Sequence, residues 1–127
     1  MSGAKFAAAI NCMDGRTQSP VIEWLQRERA SDYVDTITEP GPVRILSEAK
    51  DAPALESIRR RVEISVRKHG SSRVAIVAHA DCAGNPVDRE RQLSQLRLAA
   101  AAVRSWGFGV QLDLLWLGED WRVERIG

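Results

Sequence analysis

Val74-Ala-Ile-Val-Ala-His79-Ala-Asp-Cys82-Ala-Gly-Asn-Pro86 decides how this chain is read. A short apolar run rich in β-branched residues stops at a histidine, a cysteine follows three positions later, and Gly and Pro then turn the chain. The run reads as a strand over 73–79, apolar on both faces as a parallel strand covered on both sides has to be. His79 and Cys82 at its end read as half of a metal site. Cys12-Met-Asp14-Gly-Arg16 supplies the other half, because it too follows a short apolar run, Phe6 to Ile10. If the two strands are neighbours in a parallel sheet, their carboxyl ends bring Cys12, His79 and Cys82 around one point.

Working outward, residues 5–11 read as the first strand. Ser19 as N-cap and Pro20 at the first helical position predict a helix to about Arg29, with Val21, Trp24, Leu25 and Ala30 on its inner face. Tyr33 to Ile37 alternates apolar and polar residues and reads as a strand toward a sheet edge. Glu39 to Pro42 reads as a loop, since prolines two apart fit the interior of neither regular element. Pro53 to His69 carries a helical stripe, Leu55, Ile58, Val62 and Val66, closed by Gly70. Val87 to Ser105 is predicted helical with Leu93, Leu96, Ala100 and Val103 inward, closed by Gly107. Val110 to Leu117 is a fourth strand, and Trp121 to Ile126 a short last one forming a hairpin with it. Strands alternating with helices predict an α/β fold: a mostly parallel sheet of four strands plus a C-terminal antiparallel strand, flanked by helices. Sites in such sheets lie at the strand carboxyl ends, near the switch in strand order. Both motifs fall there.

Composition narrows the function. The 127 residues read as one domain, 1–127, with 44% apolar and 28% charged residues, ordinary for a soluble globular protein. A net charge of +1 gives no basic excess for a nucleic-acid surface, and no run approaches the roughly 18 apolar residues of a membrane span. The N-terminus turns polar too soon for a secretory signal, so a cytoplasmic protein is expected. Both cysteines of the chain lie in the two motifs. A Cys12–Cys82 disulfide is the competing reading; a cytoplasmic domain of this size has little need of one, and His79 favours metal.

Two thiolates and an imidazole suit Zn²⁺ and leave a fourth tetrahedral position open. Water there would have its pKa lowered from about 15.7 toward roughly 7, giving a hydroxide at neutral pH. Asp14, two residues from Cys12, would otherwise tend to close the site as a fourth ligand. Arg16, a planar bidentate partner, holds that carboxylate off the metal, ionised and free to orient the nucleophile, and Gly15 lets the loop turn tightly. A phosphatase cradle of the Cys-x₅-Arg kind fails because position 18 is Gln18, and no Gly-rich nucleotide fingerprint follows the first strand.

Cys-x-Asp-x-Arg together with His-x-x-Cys, set at two strand ends, resembles the β-class carbonic anhydrases over most of the chain. The resemblance implies a zinc lyase interconverting CO₂ and bicarbonate through a zinc-bound hydroxide. Cys12, His79 and Cys82 would be the ligands, Asp14 with Arg16 the dyad, and the assembly a homodimer or higher homo-oligomer. The chain departs from the pattern at its N-terminus, where the family carries a helical arm. It also departs at Thr38-Glu-Pro-Gly41-Pro, where the family carries an Arg-Asn-x-Gly type segment. Two alternatives keep the site. In one the electrophile is carbonyl sulfide or carbon disulfide; in the other a non-catalytic zinc domain uses Asp14 as fourth ligand. His69 is expected to serve the helix dipole, Arg59 to Arg61 a solvated face, and the tryptophans packing. Asp81 is expected in solvent, on a backbone N–H or in support of the metal site, and the helix after Pro86 could face an anion such as bicarbonate.

Overall fold

The computed structural model describes residues 3–127. Five strands form one sheet: β1 (Phe6–Cys12), β2 (Tyr33–Glu39), β3 (Arg73–His79), β4 (Gln111–Leu117) and β5 (Val123–Arg125). Their order is β2-β1-β3-β4-β5, with β5 alone antiparallel, paired with β4 from Leu115 to Leu117. The predicted α/β architecture is therefore the observed one, and β2 is an edge strand as expected. The chain leaves β1 toward β2 on one side and returns to place β3 on the other. The switch point thus lies between β1 and β3, the two strands that carry the motifs.

The helices are α1 (Gln18–Arg29), α2 (Pro42–Glu48), α3 (Ala52–His69) and α4 (Arg89–Ser105). Among the described residues only α1 covers one face of the sheet: Val21, Trp24 and Leu25 meet Ala7, Ala9, Ala75, Val77, Leu115 and Leu117. The other three cover the opposite face, where Val43 and Leu46, Ile58 and Val62, and Leu96, Ala99 and Val103 meet Ile10, Val74 and Ile76. One hand of crossover explains this split, because the only leftward connection, β1 to β2, carries the only helix on its face. Among the described residues no helix is long and apolar enough to cross a membrane.

Several local expectations are corrected. Glu39 to Pro42 is not a loop throughout: β2 runs to Glu39, and Pro42 opens the short helix α2 at a position where a missing N–H is harmless. Helix α1 starts at Gln18, before the expected Ser19–Pro20, because a 3₁₀ turn over Gly15–Thr17 feeds into it. Ala30 lies beyond the inner face as a left-handed C-cap. The last strand is shorter than expected, and Trp121 sits before it in a turn. Arg61 leaves the expected solvated face to pair with Glu39 across α3 and β2.

Candidate metal centre

The carboxyl ends of β1 and β3 bring Cys12, His79 and Cys82 together, buried, with one ligand atom from each lying within 4.8 Å of the others. The two sulfurs are 3.8 Å apart and unbonded. Two Zn–S bonds of about 2.3 Å at a tetrahedral angle would span about 3.8 Å, whereas a disulfide would need about 2.05 Å. The separation thus fits two ligands of one ion and not a disulfide. His79 Nδ1 donates to Ala80 O at 2.6 Å, while the buried Nε2 has no hydrogen-bond partner. An unpartnered buried nitrogen facing two thiols fits a metal, with the backbone carbonyl fixing the tautomer from behind.

The loops that carry Gly41 and Gly84 meet at van der Waals distance beside the two sulfurs. A Cβ on Gly84 would lie 2.5 Å from the Pro40 carbonyl carbon, and one on Gly41 2.8 Å from that of Gly84. Gly41 also has φ +63°, so it is glycine for two reasons. Behind the loops, Gln92 on α4 donates to His79 O at 2.8 Å, and Asn85 Nδ2 donates to Gln95 Oε1 at 2.7 Å. The hydrogen bond from Cys82 lowers the Cys12 thiol's pKa against its burial, and the same bond raises that of Cys82. Burial works to lower the pKa of His79, but the neighbouring Cys12 sulfur and the Ala80 carbonyl outweigh it and raise the value.

Asp14 and Arg16 pair as the spacing suggests. Arg16 Nε donates to Asp14 Oδ1 at 3.1 Å and Nη2 to Oδ2 at 2.7 Å, while the Arg16 backbone N–H donates to Oδ1 at 2.9 Å. The guanidinium, against slight burial, holds the Asp14 carboxyl at about 2, well below its usual value. Asp14 owes this geometry to capping the 3₁₀ turn, not to Gly15, whose backbone is ordinary.

Sequence reasoning missed the places of Trp121 and Gln92 beside the site. Asp81, expected in solvent, on a backbone N–H or in support of the site, is largely exposed and pairs with Arg16 Nη1 at 3.3 Å from a left-handed backbone. Trp121 lies against both halves of the site, its ring 5.8 Å from that of His79 and 4.2 Å from the Arg16 guanidinium carbon. Gln92 gave no signal beyond its place on a helix. At the start of the helix after Pro86, the Asp88 carboxylate accepts the Arg91 N–H at 2.9 Å. His69 lies away from the site, on Asp35 at 2.6 Å.

Among solved structures, the β-carbonic anhydrase CafA of the fungal pathogen Aspergillus fumigatus is similar to this chain. The TM-score is 0.50 at 16% identity, over 97% of this chain and 75% of that one, a likeness of fold. No curated protein sequence matches. A family model described as "putative carbonic anhydrase" matches residues 2–127. With that model spanning essentially the whole chain, the protein belongs to this carbonic anhydrase family.

Proposed function

We propose that this protein is a zinc lyase that interconverts CO₂ and bicarbonate, with Cys12, His79 and Cys82 as its metal ligands and Asp14 and Arg16 as its dyad. The observation that carries the reading is the unpartnered His79 Nε2, buried beside two thiols 3.8 Å apart. Zinc held by these three residues supplies Lewis acidity, bringing the pKa of a water from about 15.7 to roughly 7.

The chain's own residues do the rest. Asp14 stays ionised at neutral pH because Arg16 and its own turn satisfy both carboxylate oxygens. An ionised, immobilised carboxylate can accept the proton side of the attacking water's O–H and leave a lone pair aimed at the carbon of CO₂. Arg16 also keeps Asp14 from becoming a fourth ligand, since moving it onto the metal would give up two charge-assisted bonds. That favours an open site over a structural zinc. A homodimer is part of the proposal, to be read by sedimentation.

Stopped-flow CO₂ hydration on protein of measured zinc content, from about pH 6.5 to 9, tests the reading. Turnover that rises with pH and falls away in Asp14→Ala with zinc retained is the expected result. Stoichiometric zinc without turnover on CO₂ would move the substrate to carbonyl sulfide or carbon disulfide. Zinc lost together with Asp14 would mean a closed, structural site.

A further inference from the structure

We propose that Trp121 is a positioning residue: its indole holds the face of the Arg16 guanidinium, and through Arg16 fixes the Asp14 carboxylate. The inference rests on the dyad reading above and deepens it. The edges of the guanidinium are already engaged, Nε and Nη2 by Asp14, Nη1 by the Asp81 carboxylate and Nη2 also by Asp81 O at 3.3 Å. One Nη1 N–H and the two faces remain, and Trp121 covers one face at 4.2 Å. The Arg16 side chain is 46% exposed, so burial does little to order it. Stacking on an aromatic ring is the remaining way to stop a long side chain from sampling other rotamers.

The backbone gives a second, independent observation. Trp121 has φ +58°, a left-handed conformation that a bulky side chain adopts only under constraint. The constraint is local. Trp121 N–H donates to Gly118 O at 3.0 Å, and Arg122 N–H donates to the Asp120 side chain at 3.0 Å, which closes the turn between β4 and β5 on both sides. Glycine would take this backbone without strain, yet the position carries the largest side chain, half-buried and touching a guanidinium and the His79 ring. The strain delivers the ring to the site, 105 residues along the chain from Arg16.

The test uses the zinc-loaded protein and the variants W121G, W121A and W121F. It reads three quantities: kcat and KM for CO₂ hydration, the hydrogen-exchange rate of the Arg16 Nε–H by NMR, and Tm. In W121G the exchange rate should rise and kcat fall, each about tenfold, with KM and zinc content unchanged. Its Tm should change little, since glycine relieves the strained φ while the ring's packing against the core is lost. W121A should lose the same rate, and W121F should recover most of it. An Arg16 exchange rate and kcat equal to the parent's in both W121G and W121A would overturn the proposal, as would a lower Tm with unchanged exchange. Absence of CO₂ turnover in the parent would count against the function and not against Trp121, which the exchange rates would then decide alone.

Discussion

Two Asp–Arg assemblies sit at opposite ends of this sheet with inverted stoichiometry. Near the amino end of β4, Asp113 is shared by two arginines, Arg29 from α1 at 3.0 Å and Arg73 from β3 at 2.6 Å. At the carboxyl end, Arg16 is shared by two aspartates, Asp14 at 2.7 Å and Asp81 at 3.3 Å. Each cluster also lays one guanidinium on a tryptophan, Arg29 on Trp24 at 4.9 Å and Arg16 on Trp121 at 4.2 Å. Burial separates them. The Asp113 side chain is 1% exposed, and a carboxylate taken out of water needs charge and hydrogen bonds from every side. Arginine can supply them while its own head stays near solvent on a long stem. The Arg16 cluster lies nearer solvent and carries a surplus of negative charge beside three groups that could hold a metal ion, a balance that suits the approach of a cation.

The largest effect should come from the sealed end. Asp113→Ala leaves two guanidiniums against a buried strand and should cost about 3 kcal/mol, close to the range for breaking buried pairs. Tm should fall by roughly 10 °C, read by thermal and urea unfolding, with zinc content and kcat per folded molecule unchanged. The comparison breaks if Asp113→Ala unfolds no more readily than the parent.

Asp14→Asn should do the opposite: a Tm lowered by only a few degrees, and CO₂ hydration slower on the order of a hundredfold. The pH dependence carries a sign. Asp14 is held at about 2, below its ordinary 3.8, so its contribution to stability is present above pH 3.8 and lost as pH falls through about 2. Asparagine abolishes that part of the acid sensitivity. Near neutrality Asp14 does not titrate, so a rise of rate with pH should persist in Asp14→Asn at reduced height. A rise that vanishes altogether would place the titrating group on Asp14 itself.

The contrast between the clusters also shows what could be read in advance. β1 and β3 announce themselves through apolar runs, and the Cys-x-Asp-x-Arg and His-x-x-Cys spacings are local, so fold and candidate ligands were legible together. Helix α2 was not, because seven residues carry too little periodicity to outweigh the two prolines, and the rule against proline applies to helix interiors and not to the first turn, where Pro42 lies. Asp113 sits at an ordinary alternating position of β4, and nothing near it in sequence foretells Arg29 and Arg73. Trp121 was read as packing for the same reason: its partners Arg16 and His79 are remote in sequence, and its left-handed backbone belongs to a turn that also suits smaller residues.

The smallest effect sharpens the comparison most. Asp81 stands 78% exposed, and its pair with Arg16 is long at 3.3 Å. Exposed pairs of that kind contribute little and are screened by salt. Asp81→Asn keeps the shape and tolerates the left-handed φ of +56°, so it removes the charge alone. The rate should change by less than about threefold, and the difference should disappear at roughly 0.5 M salt. Arg16 then serves Asp14, with Asp81 as a bystander at its far edge, and the likeness to the Asp113 cluster is one of form. If Asp81→Asn instead slows the reaction as much as Asp14→Asn, the guanidinium is shared equally. The site would then be a true inverse of the sealed end, one cation held between two carboxylates that both have to be present.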